Sequence, residues 1–406
     1  MIKHRIVYNT AVEWKFDIEK ALGSYLWDTS GNTYIDFSSG WNTTNLGWNN
    51  PEINEFLQKQ LSIRTYAPMW AADEMQICYA EALTNSLPSC LDTVCRATGG
   101  TEANEMALKI ARAATGRKKF VSFKHTYHGQ SFGTIALGYV PEYVKQIAPL
   151  VPEYIQLDFP SVTDETKVNE KEILATFLES IEKILKTNEV AAVLTEAGMI
   201  TGWGSMLVAP QGYLQGLSEL TRQYGTLLIL DEVGTGFSRT GKLYALEHEN
   251  VVPDMVTFAK GVANGAVPLG AVAVHGELVK DHIAEFKPTS SYGWTPLACA
   301  AALKTLEIHL RDQVWEQVGQ KGNFVMQYLA SSEKLKNYVK NIRGKGLEIG
   351  FDLKNAEYKK VLQKSWENGL HIADAGDCIQ LMPPLTIDQS DLVKGLEILE
   401  AAIIAK

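Results

Sequence analysis

The sequence has little cysteine, no long apolar run and no basic stripe. Its five cysteines, Cys78, Cys90, Cys95, Cys299 and Cys378, are odd in number and form no Cys-x-x-Cys pair. That excludes a disulfide framework and a structural zinc site, and it fits a reducing cytosol. No stretch approaches the roughly 20 apolar residues that span a bilayer. The opening, MIKHRIVYNTAVEWKF, lacks the apolar centre of a signal peptide. The expectation is a soluble, cytoplasmic protein with no membrane partner. Positive charge is in the minority: 38 basic against 47 acidic residues give a formal net charge of -9. With no basic patch, a nucleic-acid partner is excluded. Internal repeats and low-complexity linkers are missing as well. What is there is ordinary globular material. Over 406 residues, 46% hydrophobic and 21% charged, it suffices for an extensive core in two or three domains.

From about residue 92, short apolar segments alternate with amphipathic ones. TVCRAT, KKFVSF, EYIQLD, VAAVLTEA, TLLILDEV, MVTFAK and LGAVAVH read as strands, several of them apolar throughout and so covered on both faces. Between them, TEANEMALKIARAA puts Met106, Ala107, Ile110, Ala111 and Ala114 on one helical face. GYLQGLSELTRQYG is a second helix, closed by Gly225. The fold class expected is α/β: a large domain with a mostly parallel, helix-covered sheet, plus a smaller α/β domain built from both termini. GSYLWDTSGNTYIDFSSG near the N-terminus reads as strands joined by a Ser-Gly-Asn turn. PLACAAALKTLEIHLRD reads as a long helix leading to a mixed tail. The expected division is 1–50 and 296–406 for the small domain and 51–295 for the large one.

Three features carry chemistry. In MVTFAKGVANGAVPLGA, residues 255–271, one lysine, Lys260, follows five mostly apolar residues and precedes a glycine. An unpaired ammonium at a buried strand end is costly. Either it snorkels to water or its amine serves chemistry that burial assists. In TVCRATGGTEAN, a strand runs into Gly99 and Gly100 and then a helix near Thr101. Close backbone approach and free N–H groups there make a phosphate cup, although a tight turn would use the same residues. In TLLILDEVGTGFSRTG, Asp231 ends an apolar strand and needs a cationic partner, unless it is an N-cap or half of a structural ion pair. One ligand requires all three: pyridoxal 5'-phosphate. The amine forms a Schiff base with its aldehyde, and the carboxylate keeps the pyridine nitrogen protonated.

On these residues the sequence resembles the class III aminotransferases (ornithine/4-aminobutyrate type) of the fold type I family. DEVGTGFSRTG and FAKGVANGAVPLGA are similar to two of its signatures, and GGTEANEMALKIAR and HTYHGQSFGT to its phosphate-binding and ring-stacking segments. SYGWTPLACAAALKTL is similar to the segment lent by a neighbouring subunit. The likeness runs from about residue 10 to 402. It implies that Lys260 is the Schiff-base lysine and proton shuttle and that Asp231 pairs with the pyridine nitrogen. Val233 would pack beneath the ring and Tyr127 stack on its other face. Gly99, Gly100 and Thr101 would take the phosphate, with Ser291 reaching the site of the other chain in a homodimer. Glu196 would lie near the cofactor, with His128 as a structural neighbour. The implied activity moves an amino group from a small-molecule amine or amino-acid donor to a carbonyl acceptor. An epimerase, racemase or aminomutase of the same family is the alternative. A cofactor-binding pseudoenzyme is disfavoured by the intact Lys260 and Asp231.

The sequence departs from the family pattern around the substrate. The arginine that many members place shortly before Pro-Pro-Leu is Gln380. The acidic gate after the Glu-Pro pair is missing from EAGMITGWGSM, which offers Met199, Ile200 and Thr201. The frequent glutamine after Val233 is Gly234, and the N-terminal Gly-His is Gly-Trp, at Trp48. With Trp41, these changes imply a more apolar pocket that is less suited to an α-carboxylate. For Trp48, ordinary packing is an equal reading. Arg343 matches a position that supports the small domain.

Overall fold

The computed structural model describes residues 2–3, 6–7, 17–138, 144–202, 206–373 and 376–405. Parts of the opening segment and residues 203–205 of EAGMITGWGSM therefore lie outside the described residues. After a short antiparallel pair, Ile2–Lys3 with Ile6–Val7, comes an antiparallel ladder of β1 (Ile18–Leu22), β2 (Tyr25–Asp28) and β3 (Thr33–Asp36). The Ser-Gly-Asn turn joins β2 to β3 as expected. Asp28 Oδ1 closes it by accepting from Ser30 N and Asn32 N at 3.0 and 2.8 Å, with Gly31 at φ +84°.

The seven apolar segments form one sheet. They are β4 (Thr93–Ala97), β5 (Lys119–Phe123), β6 (Tyr154–Leu157), β7 (Val190–Glu196), β8 (Leu227–Asp231), β9 (Met255–Phe258) and β10 (Gly270–Val274). Their spatial order is β4-β10-β9-β8-β7-β5-β6, and only β10 runs antiparallel to its neighbours. Every residue of β7 to β10 is buried, because helices cover both faces. Helix α1 (Gly100–Thr115) lays Met106, Ala107, Ile110 and Ala111 on the sheet, with Ala114 half-buried at its edge. Helix α2 (Tyr213–Gln223) is followed by Gly225 at φ +57°. In β8, Leu228, Ile229 and Leu230 each contribute about 1.5–3 kcal/mol by burial. That anchors the strand end bearing Asp231.

Helix α3 (Pro296–Arg311) leads to β11 (Val339–Lys345), β12 (Glu348–Leu353) and β14 (Ile379–Leu381), an antiparallel sheet in that order. Strand β13 (Leu370–His371) joins the N-terminal ladder instead, pairing in parallel with β3. The two ends of the chain thus share one sheet. Among the described residues, no helix is long and apolar enough to cross a membrane.

Candidate active site

The site grows from the carboxyl ends of three adjacent parallel strands, where open α/β sheets bind ligands. Asp231, at the end of β8, stands in register with Glu196 of β7 and Thr257 of β9. Lys260 lies two residues beyond β9 and opens a single 3-10 turn, Lys260–Ala263. Its φ of +48° is unfavourable for a residue with a Cβ, a strain found at functional positions.

Asp231 is buried and held from three directions. Oδ2 accepts from Asn104 Nδ2 at 2.8 Å and lies 2.7 Å from His128 Nδ1, while Oδ1 accepts from Val233 N at 2.9 Å. A carboxylate has about four acceptor positions, so a further donor can still reach Oδ1. Glu196 Oε2 accepts from Thr201 N and Oγ1 at 2.7 and 2.8 Å, and its Oε1 has no partner. Burial raises the Glu196 carboxyl above its ordinary value, and nearby Asp231 adds to the rise. Burial likewise lowers the Lys260 ammonium, although Glu196, Asp231 and Glu348 oppose that shift.

Helix α1 begins with no side-chain cap, so its first N–H groups are open to an anion. A Cβ on Gly100 would press on Val233 at 3.2 Å, whereas one on Gly99 would meet nothing. Only Gly100 is required for close approach. Gly99, Gly100 and Thr101 line an open cleft with Glu105, Ser131 and Ser291. Ser291 is exposed on its rim, and Tyr127 is half-buried, its backbone packed on Gly202.

The family model described as aminotransferase class-III matches residues 7–403. This chain belongs to that family. It is 34% identical over 396 residues to the acetylornithine aminotransferase of Archaeoglobus fulgidus, covering 97% of both chains. It is 35% identical over 417 residues to the adenosylmethionine-8-amino-7-oxononanoate aminotransferase of Anoxybacillus flavithermus, covering 95% of this chain and 91% of that one. The structure of taurine:2-oxoglutarate aminotransferase from Bifidobacterium kashiwanohense, in complex with PLP and glutamate, matches with a TM-score of 0.91. Identity is 28%, and coverage is 98% of this chain and 95% of that one. The chain is thus a fold type I aminotransferase, and its cofactor is pyridoxal 5'-phosphate.

Several residues of this aminotransferase escaped sequence reasoning. Asn104 bridges the site: besides Asp231, it donates to His128 O at 2.9 Å and accepts from Thr257 Oγ1 at 2.8 Å. Arg239, fully buried, clasps the pocket walls. It donates to Leu347 O, Pro383 O, Ser39 Oγ and Asn45 Oδ1 at 3.0, 2.8, 3.2 and 2.8 Å. Glu348 is fully buried on β12, takes a hydrogen bond from Asn42 Nδ2 at 2.7 Å, and is pushed up to about 7 by burial. Gly234 has a physical reason: a Cβ there would collide with Thr201 Oγ1. Trp48 proves to be a brace, its Nε1 donating to Asp36 Oδ2 at 2.7 Å. Trp41 is half-buried in the left-handed region at φ +62°. Gln380 is fully buried on β14, and both its amide atoms lack partners. Arg343 is committed to Met206 O and Asp352 Oδ1, at 2.5 and 2.8 Å.

Proposed function

We propose that this aminotransferase works through Lys260 and Asp231 and draws its nitrogen from an amine whose reacting carbon bears no carboxylate. When bound, pyridoxal 5'-phosphate supplies an aldehyde that accepts an amine and a ring that spreads the electron pair left by a departing proton. The residues fit that group. The uncapped start of α1, with Gly99, Gly100 and Thr101, suits its phosphate. The open acceptor position on Asp231 suits a protonated ring nitrogen, which His128 and Asn104 keep aligned. Val233 and Tyr127 would flank the ring, with Glu196 beside it. Lys260 supplies the amine. Its lowered ammonium keeps more of it neutral, so Nζ can take a proton from the reacting carbon and return it.

The observation that carries the substrate reading is Gln380. It shares a sheet face with Glu348 and Gly350, and the cation opposite Gly350 across the ladder, Arg343, is held by Met206 O and Asp352 Oδ1 rather than open to an α-carboxylate. Arg343 is bound to protein acceptors, as are both terminal nitrogens of Arg239, whose Nε alone lacks a partner. Trp41 would add an apolar wall. The structural neighbour named for taurine, an amine without a carboxylate on its reacting carbon, is in keeping with this. The test is a single-turnover comparison of simple amines with α-amino acids of matched chain length. Faster nitrogen transfer from the amines is expected, and a clear preference for the α-amino acids would overturn the reading.

Our reading also includes a homodimer with shared sites. Exposed apolar side chains support it: Ile63, Tyr66, Trp70 and Tyr292 leave 65, 46, 88 and 69% of their surfaces open, and Tyr292 adjoins Ser291. A cytoplasmic location is supported by five free cysteines. The shared terminal sheet supports the division at about residues 50 and 295.

A further inference from the structure

We propose that Glu348, Gln380 and Asn42 form a subsite for a second ammonium group, which makes α,ω-diamines the preferred amino donors. The inference rests on the amine-donor reading above and names its substrate class.

The strand register puts these groups together. Gln380 of β14 pairs with Gly350 of β12, so the two point to the same face. Glu348 lies two residues from Gly350 and shares that face. Gly350 contributes no side chain, and Met206 packs above it, 2.5 Å from where its Cβ would be. Asn42 approaches from the N-terminal loop and bonds Glu348 Oε2. Asn42 ties the cluster to the reacting lysine, because its carbonyl lies 3.5 Å from where a Cβ on Gly261, the residue after Lys260, would be.

Four polar atoms of this cluster are buried without a partner: Glu348 Oε1, Asn42 Oδ1, Gln380 Oε1 and Gln380 Nε2. Buried polar groups in native proteins are almost always satisfied, so the deficit points to a ligand. Its chemistry follows from the count. Three of the four atoms accept and one donates when the carboxyl is ionised, whereas a carboxylate ligand would need donors. An ammonium carries three donors and no acceptor. Charge agrees, since a buried carboxylate without a hydrogen-bonded cation gains most from one. The charged groups around Glu348 are Arg239, Lys260 and Glu196, with Asp231 beyond Lys260, and Lys345, which stands opposite it across the β11–β12 ladder without an ion pair to it among the described residues. Arg239 gives four hydrogen bonds from its terminal nitrogens elsewhere and keeps only Nε unpartnered, and Lys260 is occupied by the reaction.

The holoenzyme decides. Single-turnover kcat/KM is measured for diamines from 1,3-diaminopropane to 1,6-diaminohexane and for the monoamines of equal length. At least one diamine should exceed its monoamine by roughly tenfold or more, the scale of a charge-assisted hydrogen bond. Glu348→Gln should bring that ratio close to one, mainly through KM. Burial holds the Glu348 carboxyl at about 7, so the native diamine KM should fall as pH rises through neutrality. A native ratio near one, or a ratio unchanged in a Glu348→Gln protein of native melting temperature, overturns the proposal. Calorimetry adds a readout without turnover. With the enzyme loaded with pyridoxamine 5'-phosphate, which has no aldehyde to react, the diamine should bind more tightly than the monoamine of equal length, and equal affinities overturn the subsite even if the variant misfolds. Should no amine transfer its nitrogen, the amine-donor reading fails, and calorimetry still judges the subsite separately.

Discussion

His128 Nδ1 meets Asp231 Oδ2 at 2.7 Å, with both side chains sealed from solvent. Asn104 binds the same oxygen and also the His128 carbonyl, so one helical amide fixes both members of the pair. Replacing Asn104 by alanine removes two donors and strands Thr257 Oγ1. A loss of about 2–4 kcal/mol in stability is expected, with a slower proton-removal step. Thermal unfolding and single-turnover rates check it. Unchanged values in both would make Asn104 a bystander.

Asp231→Ala should slow nitrogen transfer far more than it weakens cofactor loading. In the proposed arrangement the carboxylate would act on the ring nitrogen, remote from the aldehyde that Lys260 would engage. Loading titrations run beside rapid-mixing kinetics separate the two quantities. A variant with native half-reaction rates would reduce Asp231 to a structural acid.

Lys260→Ala should lower turnover by at least about 10²–10⁴-fold while the protein keeps its melting temperature to within a few degrees. Alanine keeps a Cβ, so the cost of φ +48° is unchanged while the desolvated ammonium is removed. Added methylamine should restore part of the rate, because a free amine can occupy the vacated volume. Full activity without rescue would assign the proton transfer to another group.

The large sheet was legible because strands covered on both faces, as β7 to β10 are, must be apolar, and all seven expected segments are strands. Lys260 and Asp231 stood out for the same reason, as polar residues ending apolar runs. Asn104 did not. On α1 it looks like any helical polar residue, and its partner Asp231 is 127 residues away. Glu348 was hidden in EIGFDL, whose alternation suggests a solvated outer face. It is buried because the loop around Gly40, Trp41 and Asn42 folds over it in left-handed conformations that no propensity announces. For Trp48 the sequence left packing and pocket as equal readings, and packing holds: it braces Asp36, which also accepts from Ser38 and Ser39 at the start of that loop.

If Ser291 completes the partner's phosphate site, two defective chains should repair each other. A dimer mixing Lys260→Ala with Ser291→Ala contains one site with native Lys260 and native Ser291. Cofactor affinity at that site should return to the native value, after a loss of roughly tenfold in the Ser291→Ala homodimer. Mixing that leaves the affinity low would keep Ser291 within its own chain's site.

Installing an arginine at position 380 is the direct way to admit α-amino acids, but Glu348 stands against it. The two positions are diagonal neighbours on one sheet face, about 7–8 Å apart at Cα and within reach of a long side chain. A buried carboxylate that has only Asn42 for a partner will capture the new guanidinium before any substrate does. Gln380→Arg alone should therefore change the ratio of α-amino acid to simple-amine rates only slightly. Adding Glu348→Met leaves the arginine without an internal partner. The double variant should then raise that ratio by roughly tenfold or more, the scale of a charge-assisted bidentate pair. Half-reaction rates for matched amines in the native, single and double proteins make the comparison. A single variant as effective as the double one would mean that Glu348 does not face Gln380's substituent, and the shared-face argument would fall with it.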